Sequence, residues 1–200
     1  MTAIHTIGHS NHEIEAFVAL LHRHGVNAIA DVRSIPASTR FPQFDRKSLQ
    51  GSLEASGIRY VFLGDGLGAR PRDPACYVQG TADFDNIRAT DHFAEALKRL
   101  QRGAYTYRIC LMCAERDPAD CHRTWLVAQT LHDAGATVKH ILADGAIELH
   151  DALLRRVAKA DFGTVSLFDD EAEILVAAAR REAKRVAYCI ESQGSEEDDE

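Results

Sequence analysis

RICLMCAERDPADCHRTWLVAQTL, the sequence of residues 108–131, passes from a short apolar segment through a polar loop into an amphipathic segment. The apolar residues 108–112 are dense enough to predict a buried strand. Asp117 and Pro118 end regular structure, and Asp120 stands where the N-cap of a helix is expected. This order of strand, loop and helix is typical of an open α/β sheet, in which ligands bind beyond the carboxyl ends of the strands.

The same alternation extends outward along the chain. Strands are predicted at residues 3–8, 27–32, 58–63, 108–112 and 137–142, with helices between them and a further helix at residues 147–157. The pattern predicts a Rossmann-like, three-layer α/β fold with a mostly parallel sheet of about five strands. We expect residues 1–158 to form this domain, residues 159–193 a helical extension, and residues 194–200 a disordered acidic tail.

Composition narrows the class of protein. Hydrophobic content of 46% and charged content of 26% are ordinary for a soluble globular chain. Five acidic residues at positions 196–200 supply most of the net charge of −7, so the body has no global attraction to nucleic acid or to an anionic membrane. No apolar run approaches the roughly 20 residues of a membrane helix. Five cysteines without a secretory signal indicate reduced thiols and predict a cytoplasmic protein.

One long segment, residues 64–90, shows neither a strand nor a helix pattern. A loop of this length inside a domain is usually functional or disordered. It begins with GDGLG at residues 64–68, which resembles a phosphate-binding loop. Because no helix is predicted to follow it, neither the dinucleotide nor the P-loop context is met, and a tight turn is expected instead.

Polar residues follow four of the predicted strands: His9 and Ser10; Asp31 and Arg33; Gly64 and Asp65; Cys113 and Glu115. The carboxyl ends of parallel strands meet at one edge of a sheet. We therefore expect His9, Asp31, Arg33, Cys113 and Glu115 to come within about one small-ligand diameter of each other. The alternative is that Asp31 and Arg33 only cap neighbouring helices or pair with each other.

Positive charge is concentrated near this edge. Residues 33–72 contain seven basic and three acidic residues. Arginines in loops beside helix N-termini suit phosphate or carboxylate groups, although solvated surface charge is an equally plain explanation. The expected partner is a small anionic ligand, either a nucleotide or nucleoside or an exposed base in nucleic acid. The predicted ligand-binding residues are Ser10, Arg33, Ser38, Arg40, Tyr60, His122 and Arg123.

The cysteines in and beside the loop after the fourth strand could act either as a nucleophile or as metal ligands. Cys113 is a candidate nucleophile whose pKa the nearby arginines and helix terminus should depress modestly. A phosphatase-like loop is excluded because Ala119 occupies the position of the required arginine. Alternatively, Cys113, Cys121 and His122 bind zinc, with a fourth ligand such as His9, although C-x7-C-H is not a standard spacing.

A third chemistry uses carboxylates. Glu115 or Asp31 would act as general acid/base or stabilise positive charge, while Arg33 and Arg123 hold an anion. The predicted catalytic residues are thus Glu115, Asp31, Cys113 and His9. Simple packing of the cysteines is the non-functional alternative, since free cysteine is commonly buried.

Four motifs in order resemble one family. They are Thr6-Ile7-Gly8-His9-Ser10; Asp31-Val32-Arg33-Ser34 with Pro36, Ser38 and Phe44; Gly57-Ile58-Arg59-Tyr60 with Leu63-Gly64; and Cys113-Ala114-Glu115 with Cys121-His122-Arg123. Over roughly residues 3–142 the chain resembles the family of domain of unknown function 488, DUF488. A Gly-Tyr-Ala-Asp segment frequent in that family is Gly-Thr-Ala-Asp at residues 80–83 here, so a role for its tyrosine is absent.

The resemblance implies a Rossmann-like fold and a site at His9, Asp31, Arg33, Cys113, Glu115, His122 and Arg123, without naming a reaction. Two functions from different classes follow. One is a cytoplasmic enzyme with a polar, anion-accepting pocket for a nucleotide, nucleoside or base. The other is a non-catalytic ligand or metal sensor whose C-terminal helix and acidic tail pass the bound state to a partner.

Overall fold

The computed structural model describes residues 3–162 and 170–190. In chain order the elements are β1 (Ile4–Gly8), α1 (Ile14–Arg23), β2 (Ala28–Asp31), α2 (Arg46–Ala55), β3 (Arg59–Phe62), α3 (Gly64–Leu67), β4 (Tyr77–Val78), β5 (Thr81–Ala82), α4 (Phe84–Arg88), α5 (Asp91–Gly103), β6 (Ile109–Cys113), α6 (Gln129–Asp133), β7 (Val138–Ile141), β8 (Ile147–Leu149), α7 (His150–Phe162) and α8 (Glu171–Arg185). Short 3-10 turns lie at Pro42–Phe44, Pro74–Cys76 and Pro118–Asp120, and a π-helical turn lies at Arg123–Ala128.

Within the described residues, one sheet carries six strands in the order β3-β2-β6-β1-β7-β8. Every neighbouring pair in this sheet is parallel except β7 and β8. The predicted α/β, Rossmann-like fold with a mostly parallel sheet is confirmed. The sixth strand, β8, replaces the start of the helix predicted from residue 147. Its three residues pair with β7, and the helix begins at His150.

The side chains of β6 alternate between two hydrophobic cores. Cys110 and Met112 pack in the core on the α1 and α2 side of the sheet. Leu111 and Cys113 pack in the core on the opposite side, with Trp125 of the π-helical turn and residues of α5 and α7. Helices therefore cover both faces of the sheet, which explains why all five residues of β6 are buried.

The chain leaves β1 and β6 in opposite directions. After β1 it crosses through α1 to β2 and β3, and after β6 it crosses through the π-helical turn and α6 to β7 on the other side. In open α/β sheets, ligands bind in the crevice at such a reversal. Because β1 and β6 are neighbours, their last residues, Gly8 and Cys113, border this crevice.

Residues 64–90 are ordered, so the irregular segment predicted there is wrong. They form α3, the β4–β5 hairpin and α4. A Cβ atom on Gly64 would lie 2.0 Å from the carbonyl oxygen of Arg33, and one on Gly68 would lie 2.4 Å from Oγ of Ser34. The GDGLG motif is therefore not the predicted tight turn but one helical turn whose glycines let it lie against the loop after β2.

The helix cap predicted at Asp120 is wrong. Asp120 does not cap a helix: it ends a 3-10 turn and forms an ion pair with Arg185, with 2.7 Å between Nη2 and Oδ1. The chain then enters the π-helical turn at Arg123, and all six residues of that turn are buried. Thr90 caps α5, because its hydroxyl accepts the backbone N–H of Phe93 at the helix start.

Helix α8 packs against the rest of the described chain. Ala178 is fully buried, and Arg185 donates a hydrogen bond of 3.1 Å to the carbonyl oxygen of Ala119. The division of the chain into a domain, an extension and a tail stays a prediction, and residues 194–200 lie outside the described residues. Among residues 3–162 and 170–190, no helix combines the length and the apolarity needed to cross a membrane.

Candidate functional site

A pocket of about 730 Å³ opens at the crevice between β1 and β6. This volume lies within the range of small-molecule sites. Of the predicted residues, the pocket is lined by His9, Ser10, Arg33, Ser38, Arg40, Cys113, Glu115 and His122. Asp31 and Arg123 have no exposed surface, and Tyr60 is half-buried and does not line the pocket. The structure thus brings most of the predicted residues to the pocket, whereas Asp31, Tyr60 and Arg123 do not line it.

Asp31 and Arg33 form a buried ion pair on the α1 and α2 side of the pocket. Nη2 of Arg33 lies 2.7 Å and Nε lies 3.0 Å from the Asp31 carboxylate. Nη1 donates to the carbonyl oxygen of Phe44 at 2.9 Å and contacts Nε2 of His9 at 3.3 Å. Four of the five guanidinium N–H groups are therefore used within the protein. This is the pairing that the sequence left open as the alternative to anion binding.

Tyr60 completes the surroundings of the Asp31 carboxylate. Its hydroxyl donates to Oδ2 of Asp31 at 2.8 Å. Burial, and then the Asp31 charge, raise the pKa of Tyr60, so its hydroxyl remains a donor at neutral pH. Asp31 consequently acts on the pocket through Arg33, because its own oxygens have no exposed surface.

His9 is held as a neutral ring. Its Nδ1 lies 2.9 Å from the carbonyl oxygen of Ser10, which can only accept, so Nδ1 carries the proton. Nε2 then offers a lone pair to Arg33. Burial lowers the pKa of His9 to about 4, although the hydrogen bond to Ser10 opposes this shift. Phe44 stacks on the ring with 4.2 Å between centroids.

The backbone around His9 fits closely against the loop after β6. The amides of His9 and Ser10 donate to the carbonyl oxygens of Cys113 and Ala114 at 2.8 and 2.9 Å. A Cβ atom on Gly8 would lie 1.7 Å from the carbonyl oxygen of Glu115. Only glycine leaves room for this approach. Ser10 has a φ of 47°, a conformation that a non-glycine residue adopts only when its surroundings enforce it.

Four potential ligand groups meet on the other side of the pocket: Cys113, Glu115, Cys121 and His122, here called the CECH quartet. One ligand atom from each lies within 4.8 Å of all the others. Nδ1 of His122 is 3.7 Å from Sγ of Cys113 and 3.9 Å from Sγ of Cys121. Oε2 of Glu115 is 2.7 Å from Sγ of Cys121. Three members are buried and Glu115 is exposed toward the pocket.

The two thiols of the quartet have opposite pKa shifts. Burial, and then Cys121, raise the pKa of Cys113 well above its usual value, so the predicted modest depression at Cys113 is wrong. Burial also disfavours the thiolate of Cys121, but a hydrogen bond from Cys113 and the charge of Arg123 bring its pKa well below the usual value. The sequence misassigned the thiolate because it shows neither burial nor the contact between the sulfurs.

Arg123 lies beneath the quartet and has no exposed surface. Its Nη1 donates to the carbonyl oxygen of Glu115 at 2.8 Å. Its Nε and Nη2 have no hydrogen-bond partner among the described residues. The negative groups that act on its charge are those of Cys121, Cys113 and Glu115. Arg123 therefore faces the quartet from below, whereas the sequence predicted contact with a ligand.

A model of the family described as domain of unknown function, DUF488, matches residues 13–130, more than half of the chain. The chain belongs to the DUF488 family. The DUF488 match includes β2, β6 and the π-helical turn, and it begins after the opening motif that contains His9. No curated protein and no solved structure matches the chain.

In this DUF488 chain, the pocket also contains residues that the sequence did not single out. Arg70 lines the rim with its side chain exposed, and its guanidinium carbon lies 4.4 Å from the ring centre of Tyr188. Phe41 and Ile35 add apolar surface beside Arg40. In the sequence, Arg70 is one of seven basic residues in the segment 33–72. Only its position in space distinguishes it from a surface charge.

Proposed function

We propose that this DUF488 protein is an enzyme whose strand-edge pocket binds a small anion of the nucleotide class. The supporting observation is that Arg40 and Arg70 are exposed at the rim of this pocket and have no ion-pair partner within residues 3–162 and 170–190. Glu115 is the acidic residue among the lining side chains. An anion entering the pocket meets two available guanidinium groups, which suit phosphate and carboxylate.

Other lining residues suit the parts of a nucleotide that carry no phosphate. Phe41 and the exposed Ile35 offer apolar surface of the kind on which a base packs. Ser10 and Ser38 add polar groups to the lining, and Oγ of Ser38 accepts the backbone N–H of Phe41 at 3.0 Å. Arg33 has one N–H group left after its contacts with Asp31, Phe44 and His9, so we assign it mainly to holding His9 in place.

Glu115 is the acid/base candidate of the proposed reaction. Its side chain reaches the pocket, and partial burial of its carboxylate, followed by the Cys121 charge, raises its pKa. A raised pKa brings a carboxyl group closer to the range in which general acid/base catalysis is efficient. Asp31 and Cys113 keep the roles of electrostatic support and pocket lining, since Asp31 is enclosed and the pKa of Cys113 is raised.

The test is calorimetric titration with inorganic phosphate, ribose 5-phosphate, and adenosine and guanosine mono-, di- and triphosphates. We expect Arg70→Ala and Arg40→Ala each to weaken binding by about 1.5–3 kcal/mol, the scale of a charge-assisted hydrogen bond. Arg72→Ala is the matched control, because Arg72 is exposed and lies outside the pocket lining. Equal losses in all three variants, or no binding by any compound of this panel, would refute the anion pocket.

Compounds that bind are then incubated with the protein and followed by mass spectrometry for conversion. Glu115→Gln should abolish conversion while a compound still binds. Binding without conversion by the unaltered chain would favour the second candidate function, a non-catalytic sensor. One observation favours that candidate: Tyr188 and Arg185, both near the C-terminal end of the described chain, contact Arg70 of the pocket and Asp120 of the loop after β6.

A further inference from the structure

The geometry points to a zinc site formed by the CECH quartet, in the floor of the pocket. The ligands are Sγ of Cys113, Sγ of Cys121, Nδ1 of His122 and one carboxylate oxygen of Glu115. This inference goes beyond the proposed anion pocket and does not depend on it. It gives Glu115 the role of a metal ligand in place of acid/base catalyst, because a carboxylate bound to zinc does not carry the proton of a general acid. It replaces His9, the fourth ligand considered from the sequence, because His9 already pairs with Arg33 and Ser10.

The distances from His122 to the two sulfurs of the quartet fit a tetrahedral ion. With Zn–S of about 2.3 Å and Zn–N of about 2.0–2.1 Å, neighbouring ligand atoms in a tetrahedron lie roughly 3.5–3.8 Å apart. Nδ1 of His122 lies 3.7 and 3.9 Å from the two sulfurs. The carboxylate of Glu115 is closer, 2.7 Å from Sγ of Cys121, and would move outward by about 0.8 Å to reach the same spacing. Its exposed side chain permits this movement.

The orientation of His122 is independent support. Its Nε2 lies 3.0 Å from the carbonyl oxygen of Val32, which accepts only, so Nε2 carries the proton. The lone pair is then on Nδ1, which faces both sulfurs. Histidines that ligate metals almost always donate their other N–H group in this way, since the bond fixes both tautomer and ring orientation.

Charge balance also favours a bound cation. Cys113 and Cys121 as thiolates and Glu115 as a carboxylate bring three negative charges together. A divalent ion leaves one net negative charge, which the buried guanidinium of Arg123 neutralises from below. The backbone N–H of Arg123 also donates to Sγ of Cys121 at 3.4 Å. Two sulfurs and an imidazole favour zinc over magnesium or calcium, which prefer oxygen ligands.

The metal content of the full chain tests the inference. The protein is purified without chelators and analysed by inductively coupled plasma mass spectrometry, and we expect about one zinc per chain. Cys113→Ser and Cys121→Ser should each lose most of the metal. Glu115→Gln, at the exposed ligand, should weaken zinc affinity at least about tenfold in a competition with a chromophoric chelator. Cys110→Ser is the matched control, because Cys110 is buried in the same strand but packs in the opposite core.

Cobalt(II) provides a second readout for variants that fold poorly. Added to chelator-treated wild-type protein, it should give a tetrahedral spectrum with thiolate charge-transfer bands. A metal-free chain that also fails to give these bands would overturn the inference. A chain that contains zinc but binds no phosphate or nucleotide would support the zinc site and refute the anion pocket. A chain that binds these anions but holds neither zinc nor cobalt would support the anion pocket and refute the zinc site.

Discussion

At the residue scale, the site depends on buried charges that compensate each other. Asp31 and Arg33 are both enclosed, and the Asp31 carboxylate also accepts from Tyr60. Charges in such surroundings are tolerated only with close partners, so removing one partner leaves the other uncompensated. The same pair positions His9 at the pocket. Arg123 is in the same position beneath the CECH quartet, and its counter-charges come from the quartet itself.

Asp31→Asn should therefore lower the free energy of unfolding by about 3–5 kcal/mol, since it leaves the Arg33 guanidinium buried without its carboxylate. Guanidinium chloride denaturation measures the change. Asp85→Asn is the control: it breaks a pair with Arg88 in which the aspartate is 85% exposed, and should cost less than about 1 kcal/mol. Similar losses in the two variants would show that the buried pair contributes no more than a surface pair.

The sequence predicted which residues meet at the site, but it did not predict which of them are buried or which thiol is ionised. Polar groups at the ends of parallel strands converge, and this rule alone is enough to group His9, Arg33, Cys113 and Glu115. The enclosure of Asp31 has no such signal in the sequence, because burial depends on α1, α2 and the loop that contains Phe44. The grouping of Glu115 with two cysteines also needs the course of the loop after β6.

At the scale of elements, two glycines in regular secondary structure have opposite surroundings. Gly8 ends β1 against the carbonyl oxygen of Glu115, and Gly51 lies within α2 with nothing near its missing Cβ atom. Gly8 keeps two chain segments in contact, whereas Gly51 only lowers the helix propensity of α2. Sequence alone treats both as weak positions in regular elements.

Gly8→Ala should lower the free energy of unfolding by at least about 1–3 kcal/mol, because the new methyl group must push β1 away from the loop after β6. It should also reduce the metal content of the chain. Gly51→Ala should raise the free energy of unfolding by about 0.5–1 kcal/mol. Thermal and denaturant melts of the two variants compare them directly. A neutral Gly8→Ala would show that the contact with Glu115 can relax.

Periodicity predicted the long elements and missed those that tertiary contacts define. The strands β1, β2, β3, β6 and β7 and the helix α5 each carry enough residues to show a pattern. The strand β8 has three residues, and its pairing with β7 has no local signal. The helix α3 exists because Gly64 and Gly68 fit against the loop after β2, a fact that appears only when both segments are in place.

At the scale of the whole molecule, buried neutral histidines connect stability to pH. Thr6 donates to Nδ1 of His140 at 2.8 Å, and Nε2 of His140 lies 3.0 Å from Nδ1 of His150. Nε2 of His150 lies 3.0 Å from Oε1 of Gln129, which accepts only. The chain of donors therefore runs from Thr6 through both rings to Gln129, and a proton added to Nδ1 of His150 would face the N–H group of His140 and break it.

Burial, and then the nearby His132, lower the pKa of His150 from 6.5 to about 4, although Asp151 opposes the shift. His140, facing His150, has its pKa lowered in the same direction by burial. The unfolded chain thus binds more protons than the folded chain between pH 6.5 and 4. The contribution of the neutral histidines to the free energy of unfolding is therefore complete above pH 6.5 and is lost as the pH falls through this window.

We expect His150 alone to account for a loss on the order of 3 kcal/mol between about pH 7 and pH 4. Denaturation curves at several pH values measure the slope. His150→Gln should flatten it, while His92→Gln, at an exposed histidine of α5, should leave it unchanged. An unaltered slope in His150→Gln would assign the pH dependence to other groups.

The π-helical turn at Arg123–Ala128 fixes the number of residues between Cys121 and α6. A π turn holds one residue more than the α-helical path over the same rise. Deletion of one residue would restore an ordinary α-helix, and the residues that precede the turn would rotate by about 100° around the helix axis. Because all six residues of the turn are enclosed, the rotation could not be absorbed at the surface. His122 and Cys121 would turn away from Cys113, so the spacing between Cys121 and α6 is itself a part of the site.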